Sequence, residues 1–374
     1  MEFVNSEFKI DNYKYEFQSW YPHFKKCTMK SKIIPLNQSF CDYLDEDGIL
    51  LPKCVSDRFI STSEMSDDSD FEEDEDTNNV DKSLIDLGNL TPIIENHLKE
   101  LKNQVFIKLN WKAPTDAAWI LGSMKCLNVA DIYRLLKASD RIQNDIERIS
   151  NKNNNNNNSD KDGLTLILRK WANLNSSMEF RCFVYKNQLV GISQRECSTY
   201  FDFLVHQEDV IANICNLITE FWKKEIRPKA RITTTSIEAV DDMSFLQSCH
   251  FDCYIDRQER VWLLDIGAFD EDDQQNEADP LLFKWSELKL LAEQAEQNEK
   301  YEQKDAEIEE ETEFEVEFRA VQNENECCPP LHRPVTGPED TIDLANGVLP
   351  HGFEYSKVAN KRQQNCEESD SDSD

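Results

Sequence analysis

Two aspartates on either side of a charged turn are the residues of this chain best placed to do chemistry. They lie in His250-Phe251-Asp252-Cys253-Tyr254-Ile255-Asp256-Arg257-Gln258-Glu259-Arg260-Val261-Trp262-Leu263-Leu264-Asp265-Ile266. If Arg257–Arg260 is the loop of a hairpin, residue 256 pairs with 261, 254 with 263 and 252 with 265. Asp252 and Asp265 then face each other across the strands, with Cβ atoms about 5 Å apart. Like charges so placed destabilise a hairpin. A raised pKa on one carboxyl relieves this, and so does a divalent cation between them; Mg²⁺ favours carboxylate oxygen. A different loop length would turn one aspartate outward instead.

Cations also occur inside apolar strand patterns, where they are normally avoided. Lys108 interrupts Val105–Leu109, Arg169-Lys170 follow Leu164–Leu168, Arg181 lies in Phe180–Val184, and Arg195 ends Leu189–Gln194. A three-residue loop at Lys186-Asn187-Gln188 would pair Arg181 with Ser193 and place Arg181 and Arg195 on one face, with Glu179 opposite Arg195. A two-residue loop would separate them. Converging cations suit a polyphosphate, with a metal completing the neutralisation; alternatively, each arginine meets a surface carboxylate. In Trp111-Lys112-Ala113-Pro114-Thr115-Asp116-Ala117-Ala118, small residues would let backbone approach phosphate, with Thr115 or Asp116 as helix N-cap. An ordinary capped loop fits the same residues.

The elements that must position these groups read as an α+β protein. Strands are predicted at Val105–Trp111, Leu164–Trp171, Phe180–Tyr185, Leu189–Gln194, Phe251–Ile255 and Val261–Ile266. Helices are predicted after Thr91-Pro92, over Asp131–Ala138, Gln207–Lys224 and Leu281–Leu291. Trp20 and Phe24 fall at helical spacing near the N-terminus. Residues 61–79 are an acidic run, and residues 151–163 hold an asparagine tract read as a surface loop.

Among 374 residues the net charge is −32, which repels polyanions and argues against nucleic-acid binding. Only nine glycines occur, and neither G-x-x-x-x-G-K-[ST] nor G-x-G-x-x-G is present, so P-loop and dinucleotide readings fail. There is no G-x-S-x-G, no C-x-x-C and no H-x-x-x-H among six dispersed histidines. Cys249 and Cys253 read as buried small hydrophobes on one strand face. No signal-peptide pattern opens the sequence and no run of 18 apolar residues occurs, so a cytoplasmic, membrane-free protein with reduced cysteines is expected.

Lys108-Leu109-Asn110-Trp111, Ala113-Pro114, Asp116-Ala117, Leu168-Arg169-Lys170-Trp171, Met178–Val184, Gly191–Arg195 and Asp279–Trp285 together resemble the cell division cycle protein 123 family. Ser19-Trp20-Tyr21-Pro22 and Ser31–Leu36 match it too, and Pro338–Leu344 does so more weakly. The resemblance implies an ATP-grasp-like two-lobe fold with antiparallel sheets, ATP and Mg²⁺ as cofactors, and assembly of eukaryotic translation initiation factor 2 through its gamma subunit by a monomer. It implies a nucleotide site at Lys108, Trp111, Ala113, Asp116, Arg169, Lys170, Trp171, Arg181, Arg195, Asp252 and Asp265, with the metal at Asp252, Asp265 and the position of Gly267. The family has an asparagine at that last position and a basic residue at Thr115. Here a water, a backbone carbonyl or Asp270 would have to substitute for the asparagine. An ATP-grasp-type carboxylate–amine ligase and a nucleotide-independent paralogue are the alternative functions.

The expected organisation is an N-terminal helical, partner-binding segment over 1–60, an acidic linker over 61–79, a first ATP-grasp lobe over 80–150 and the asparagine-rich loop over 151–163. A second lobe carrying the metal site follows over 164–291, then an acidic segment over 292–325, and a C-terminal partner-binding segment with an acidic tail over 326–374.

Overall fold

The computed structural model describes residues 12–46, 48, 51–52, 55, 90–155, 163–230, 243–269, 279–302 and 316–327. The acidic linker at 61–79, Asp270, residues 303–315 of the acidic segment and the C-terminal tail beyond 327 lie outside the described residues. The chain divides into two compact units, with the main boundary between Asn173 and Leu174. Among the described residues, no helix is long and apolar enough to cross a membrane.

The first unit is built on a three-stranded antiparallel sheet of order β1-β3-β2, comprising β1 (Ser31–Pro35), β2 (Val105–Lys108) and β3 (Thr165–Lys170). Alternation sorts its residues by face. Ile34, Ile107, Leu166 and Leu168 belong to the main core with residues of α2 (Gln38–Asp45), α3 (Leu90–Glu100), α4 (Val129–Lys137) and α5 (Asp140–Asn155). Lys108 and Arg169 fall on the opposite face, where Phe17 of α1 (Phe17–Phe24) meets them. Asn37 and Asn128 cap α2 and α4 by accepting from Phe40 N and Asp131 N at 2.9 and 3.0 Å; each such cap contributes about 1 kcal/mol.

Two features of this unit differ from the sequence expectation. The lobe expected over 164–291 includes Leu164–Trp171, whereas β3 pairs with β1 and β2 and so belongs to the first sheet. The segment expected to be helical over 1–60 supplies β1 as well as α1 and α2. Strand pairing is a long-range property that neither local pattern encodes. The asparagine tract also begins inside a helix, because α5 runs on to Asn155.

The second unit holds a five-stranded sheet of order β7-β6-β4-β5-β8: β4 (Glu179–Tyr185), β5 (Gln188–Gln194), β6 (Cys249–Ile255), β7 (Val261–Ala268) and β8 (Glu317–Arg319). All pairs are antiparallel except β5–β8. Cys249, Phe251, Cys253 and Ile255 are buried along one face of β6, as their spacing predicted. Phe221, at the end of α6 (Glu208–Phe221), packs its ring 6.3 Å from that of Phe251. The opposite face carries Phe183, which packs with Phe283, Trp285 and Leu288 around the start of α7 (Trp285–Glu302). The helix expected from Leu281 starts only at Trp285; Leu281 itself sits at φ 56° in the turn before it.

Helix α7 comes close to β5 at Gly191. A Cβ added there would lie 3.0 Å from both Leu288 Cδ2 and Phe283 Cζ. Gly191→Val is therefore expected to destabilise the protein by about 1–3 kcal/mol in chemical denaturation. Gly163→Ala, where an added Cβ meets nothing within 4 Å, should stay within about 0.5 kcal/mol of wild type.

Candidate functional site

The charged cluster of the second unit is set by strand register. β4 and β5 join through a two-residue turn, Lys186-Asn187, with φ values of 50° and 63°. Both residues having positive φ fits the tight hairpin turns that match strand twist. The expected three-residue loop is thus not formed, and Tyr185 pairs with Gln188 rather than Leu189. A bulge between Phe183 and Val184 then shifts the ladder by one, so Arg181 still faces Ser193. The second hairpin behaves in the same way. Ile255 pairs with Val261 and Tyr254 with Trp262, in place of the expected 256–261 and 254–263 pairs. A bulge between Asp252 and Cys253 restores Asp252 opposite Asp265. Each bulge returns a polar residue to the face that the turn alone would have denied it.

Arg181, Asp252 and Asp265 therefore lie in one row across β4, β6 and β7. Asp252 is only 2% exposed. Arg181 grips it side-on, Nε donating to Oδ1 at 2.7 Å and Nη2 to Oδ2 at 2.9 Å. Arg195 donates from Nε to Oδ2 at 2.8 Å and reaches Glu179 Oε2 at 3.3 Å through Nη1. Arg181 also donates to the Asp279 carbonyl at 3.0 Å, which ties the loop before α7 to the cluster. Burial by itself pushes the Asp252 carboxyl up; Arg181 and then Arg195 outweigh it and hold the group well below the usual carboxylate range. Asp252 is thus a permanent buried anion between two cations. Leaving a buried carboxylate without its cation typically costs about 3–5 kcal/mol, so Arg181, the less exposed of the two partners, matters most to stability.

His250 completes the face two residues before Asp252. Its Nδ1 donates to the Ala268 carbonyl at 2.8 Å. Burial, then Arg181, lowers its pKa to about 4, so the ring is neutral at physiological pH. It pairs directly with Gly267 and lies over it. A Cβ on Gly267 would sit 2.5 Å from His250 Nε2, and closer still to Cε1. Gly267, expected at the metal position, therefore brings no donor side chain, and its side-chain space is filled from the neighbouring strand. The opposed carboxylates of Asp252 and Asp265 fit a hard divalent cation, which takes oxygen ligands. Among the described residues, no three His, Cys, Asp or Glu side chains already form a metal-holding group.

In the first unit, Lys108 and Arg169 are 3% and 7% exposed. Their cationic heads lie 5.6 and 5.3 Å from the centroid of the Phe17 ring, and Arg169 Nη2 donates to Thr28 Oγ1 at 3.3 Å. Lys170 is exposed, while the Trp171 indole donates to Asn173 at 2.7 Å. The loop after β2 is anchored from beneath. Backbone N–H groups of Trp111 and Lys112 donate to Asp145 Oδ2 at 3.4 and 3.0 Å, and Ala113 packs on the core. Asp116 does not cap its own helix. The N-cap position there is Pro114, without a side-chain bond. The Asp116 carboxylate instead accepts from Ser139 Oγ and from Arg141 N at the start of α5.

Sequence reasoning missed Phe17, Asp145 and His250. Burial of an aromatic beside cations leaves no local signal, and neither does a carboxylate reaching back to a loop more than 30 residues earlier. The His250–Gly267 contact had a visible trace: the missing side chain at 267 and the histidine two residues before Asp252.

A family model described as D123 matches residues 20–345, a span that contains both charged clusters. The chain is 35% identical over 378 residues to a Dictyostelium discoideum protein named translation initiation factor eIF2 assembly protein, covering 89% of this chain and 91% of that one. It is 31% identical to a Xenopus tropicalis protein of the same name, covering 96% and 97%. Cell division cycle protein 123 of Candida glabrata is 35% identical, covering 75% and 76%. Among solved structures, Cdc123 from Schizosaccharomyces pombe superposes with a TM-score of 0.54 at 27% identity, covering 82% of this chain and 95% of that one. These matches agree with the resemblance read from the strand motifs, and the chain belongs to the D123 family.

Proposed function

We propose that this chain is an assembly factor for translation initiation factor eIF2 that acts through the gamma subunit with ATP and Mg²⁺ bound. The names of relatives matching most of its length support the assembly role. The single observation that carries the nucleotide reading is the set of Arg181, Arg195 and Asp265 gathered around the buried Asp252 on one sheet face. A structural salt bridge needs one guanidinium per carboxylate; here two converge on Asp252 and a second carboxylate faces it. Arg181 and Arg195 are suited to exchange Asp252 for phosphate oxygens, because guanidinium binds carboxylate and phosphate with the same fork. That exchange releases Asp252 to act with Asp265 as oxygen donors. When bound there, Mg²⁺ would neutralise charge on the phosphates.

Gly267 favours a second reading, in which the chain binds its partner without nucleotide. A gamma-subunit pull-down distinguishes the two. Capture that depends on Mg-ATP and is lost in EDTA supports the first reading, and undiminished capture in EDTA supports the second.

Calorimetric titration tests the site itself. Asp265→Asn and Arg181→Lys should each weaken Mg-ATP binding at least about tenfold, equivalent to about 1.4 kcal/mol, with circular dichroism confirming the fold. Lys108→Ala, read in the same titration, tests the lysine assigned by the resemblance, with a loss of similar size expected. Unchanged affinity in all three variants removes the nucleotide site.

A further inference from the structure

We propose that residues 223–229 of the second unit are the docking site of this chain's own acidic segment at 367–374. Neither ATP nor a metal takes part. The site holds four cations, Lys223, Lys224, Arg227 and Lys229, within seven residues of a chain whose net charge is −32. Helix α6 runs into them through Trp222–Ile226, a π-helix. Its i→i+5 hydrogen bonds make a wider turn, and such turns are rare and recur at functional sites. Burial here repeats every four residues: Trp222, Ile226 and Ala230 are buried, Lys223 and Arg227 half-buried, and Lys224 and Pro228 exposed. Lys223 and Arg227 therefore share one row beside the exposed Lys224.

The second observation is the state of Arg227. Its guanidinium lies 5.1 Å from the centroid of the Trp222 ring, and Trp222 is only 4% exposed. Arg227 Nε and Trp222 Nε1 are buried donors with no acceptor among the described residues. Arg181, Arg195, Arg260 and Arg319 each meet a carboxylate. Arg227 meets none among the described residues, in a chain with 73 acidic side chains. A guanidinium held over an indole keeps its fork oriented, and that fork matches a carboxylate. Lys224 pairs with Glu220 at 2.7 Å and Lys229 with Glu225 at 3.4 Å. Solvent-exposed pairs of this kind contribute little and exchange readily for another carboxylate.

Charge and tether select the occupant. Glu367-Glu368-Ser369-Asp370-Ser371-Asp372-Ser373-Asp374 carries five carboxylates in eight residues and no cation. Cys327, the last described residue before it, belongs to the second unit, as residues 223–229 do. Residues 328–366 lie between and span up to about 130 Å when fully extended, well beyond the width of a unit of this size. Attachment to the same unit makes the encounter intramolecular, which raises its effective concentration without any new contact. The acidic run at 61–79 belongs to the first unit and lacks this tether.

The test is zero-length carbodiimide cross-linking of the full-length chain, which joins lysine amines to carboxylates in contact with them. An equal mixture of ¹⁴N- and ¹⁵N-labelled protein separates links within one chain from links between copies. Links from residues 367–374 to Lys223 or Lys224 of the same chain should exceed those to any other lysine. They should fall at least about fivefold in Arg227→Gln, and likewise in about 0.5 M NaCl. Arg227 is not itself cross-linked, so its substitution removes the docking contact and leaves the reporting lysines in place. If Arg227→Gln does not fold, the preference among wild-type lysines decides. Links spread evenly over the lysines, links unchanged in Arg227→Gln, links formed only between copies, or another acidic segment joined to Lys223 and Lys224 would each overturn the proposal.

Discussion

A carboxylate buried to 2% exposure must be neutralised where it stands, and the second unit is organised around that demand at Asp252. Two arginines from β4 and the end of β5 meet it, and the chain before α7 is drawn in through the Asp279 carbonyl. The cost of desolvating three charges is offset only if each keeps well-directed partners. Those directions exist only in one register. Shifting either hairpin by a residue would send Arg181 or Asp265 to the opposite face, against Phe251 and the thiols of Cys182 and Cys253.

Both hairpins reach that register by the same route. Each turn sets the pairing one residue away from the value that would align the charged residues, and each ladder contains one bulge that corrects it. Bulges interrupt hydrogen bonding and increase local twist, and they recur where a side chain must be re-aimed. Their presence on both flanks of β4 and β6 marks the Arg181–Asp252–Asp265 row as a feature the fold accommodates at some expense in regular pairing.

The first unit handles buried cations differently. Lys108 and Arg169 lie against the face of Phe17 as well as near polar groups. An aromatic face attracts a cation without competing as a charged partner. Asp145 and Asp116 stabilise the neighbouring loop through backbone N–H groups at Trp111, Lys112 and Arg141. Two glycines serve close approach in the second unit: Gly191 admits the side chains of Leu288 and Phe283, and Gly267 admits a histidine ring.

Much of this was legible in the sequence. Period-two alternation placed β4 to β7, cations inside apolar strands marked Lys108, Arg169, Arg181 and Arg195, and the facing of Asp252 with Asp265 followed from a hairpin count. Motif resemblance fixed the family. These signals are local, or depend on residue type, and survive without knowledge of the rest of the chain. Only the tertiary structure decided that β3 joins β1 and β2, that both hairpins are bulged, that Asp252 is shared by two arginines, and that His250 fills the space over Gly267. Each of these depends on what packs across from a residue, and distant segments determine that through sterics and desolvation. The predicted Asp252–Asp265 pair was right, although the turn assumed in deriving it was wrong by one residue, because a bulge set by the surrounding sheet compensated for the error.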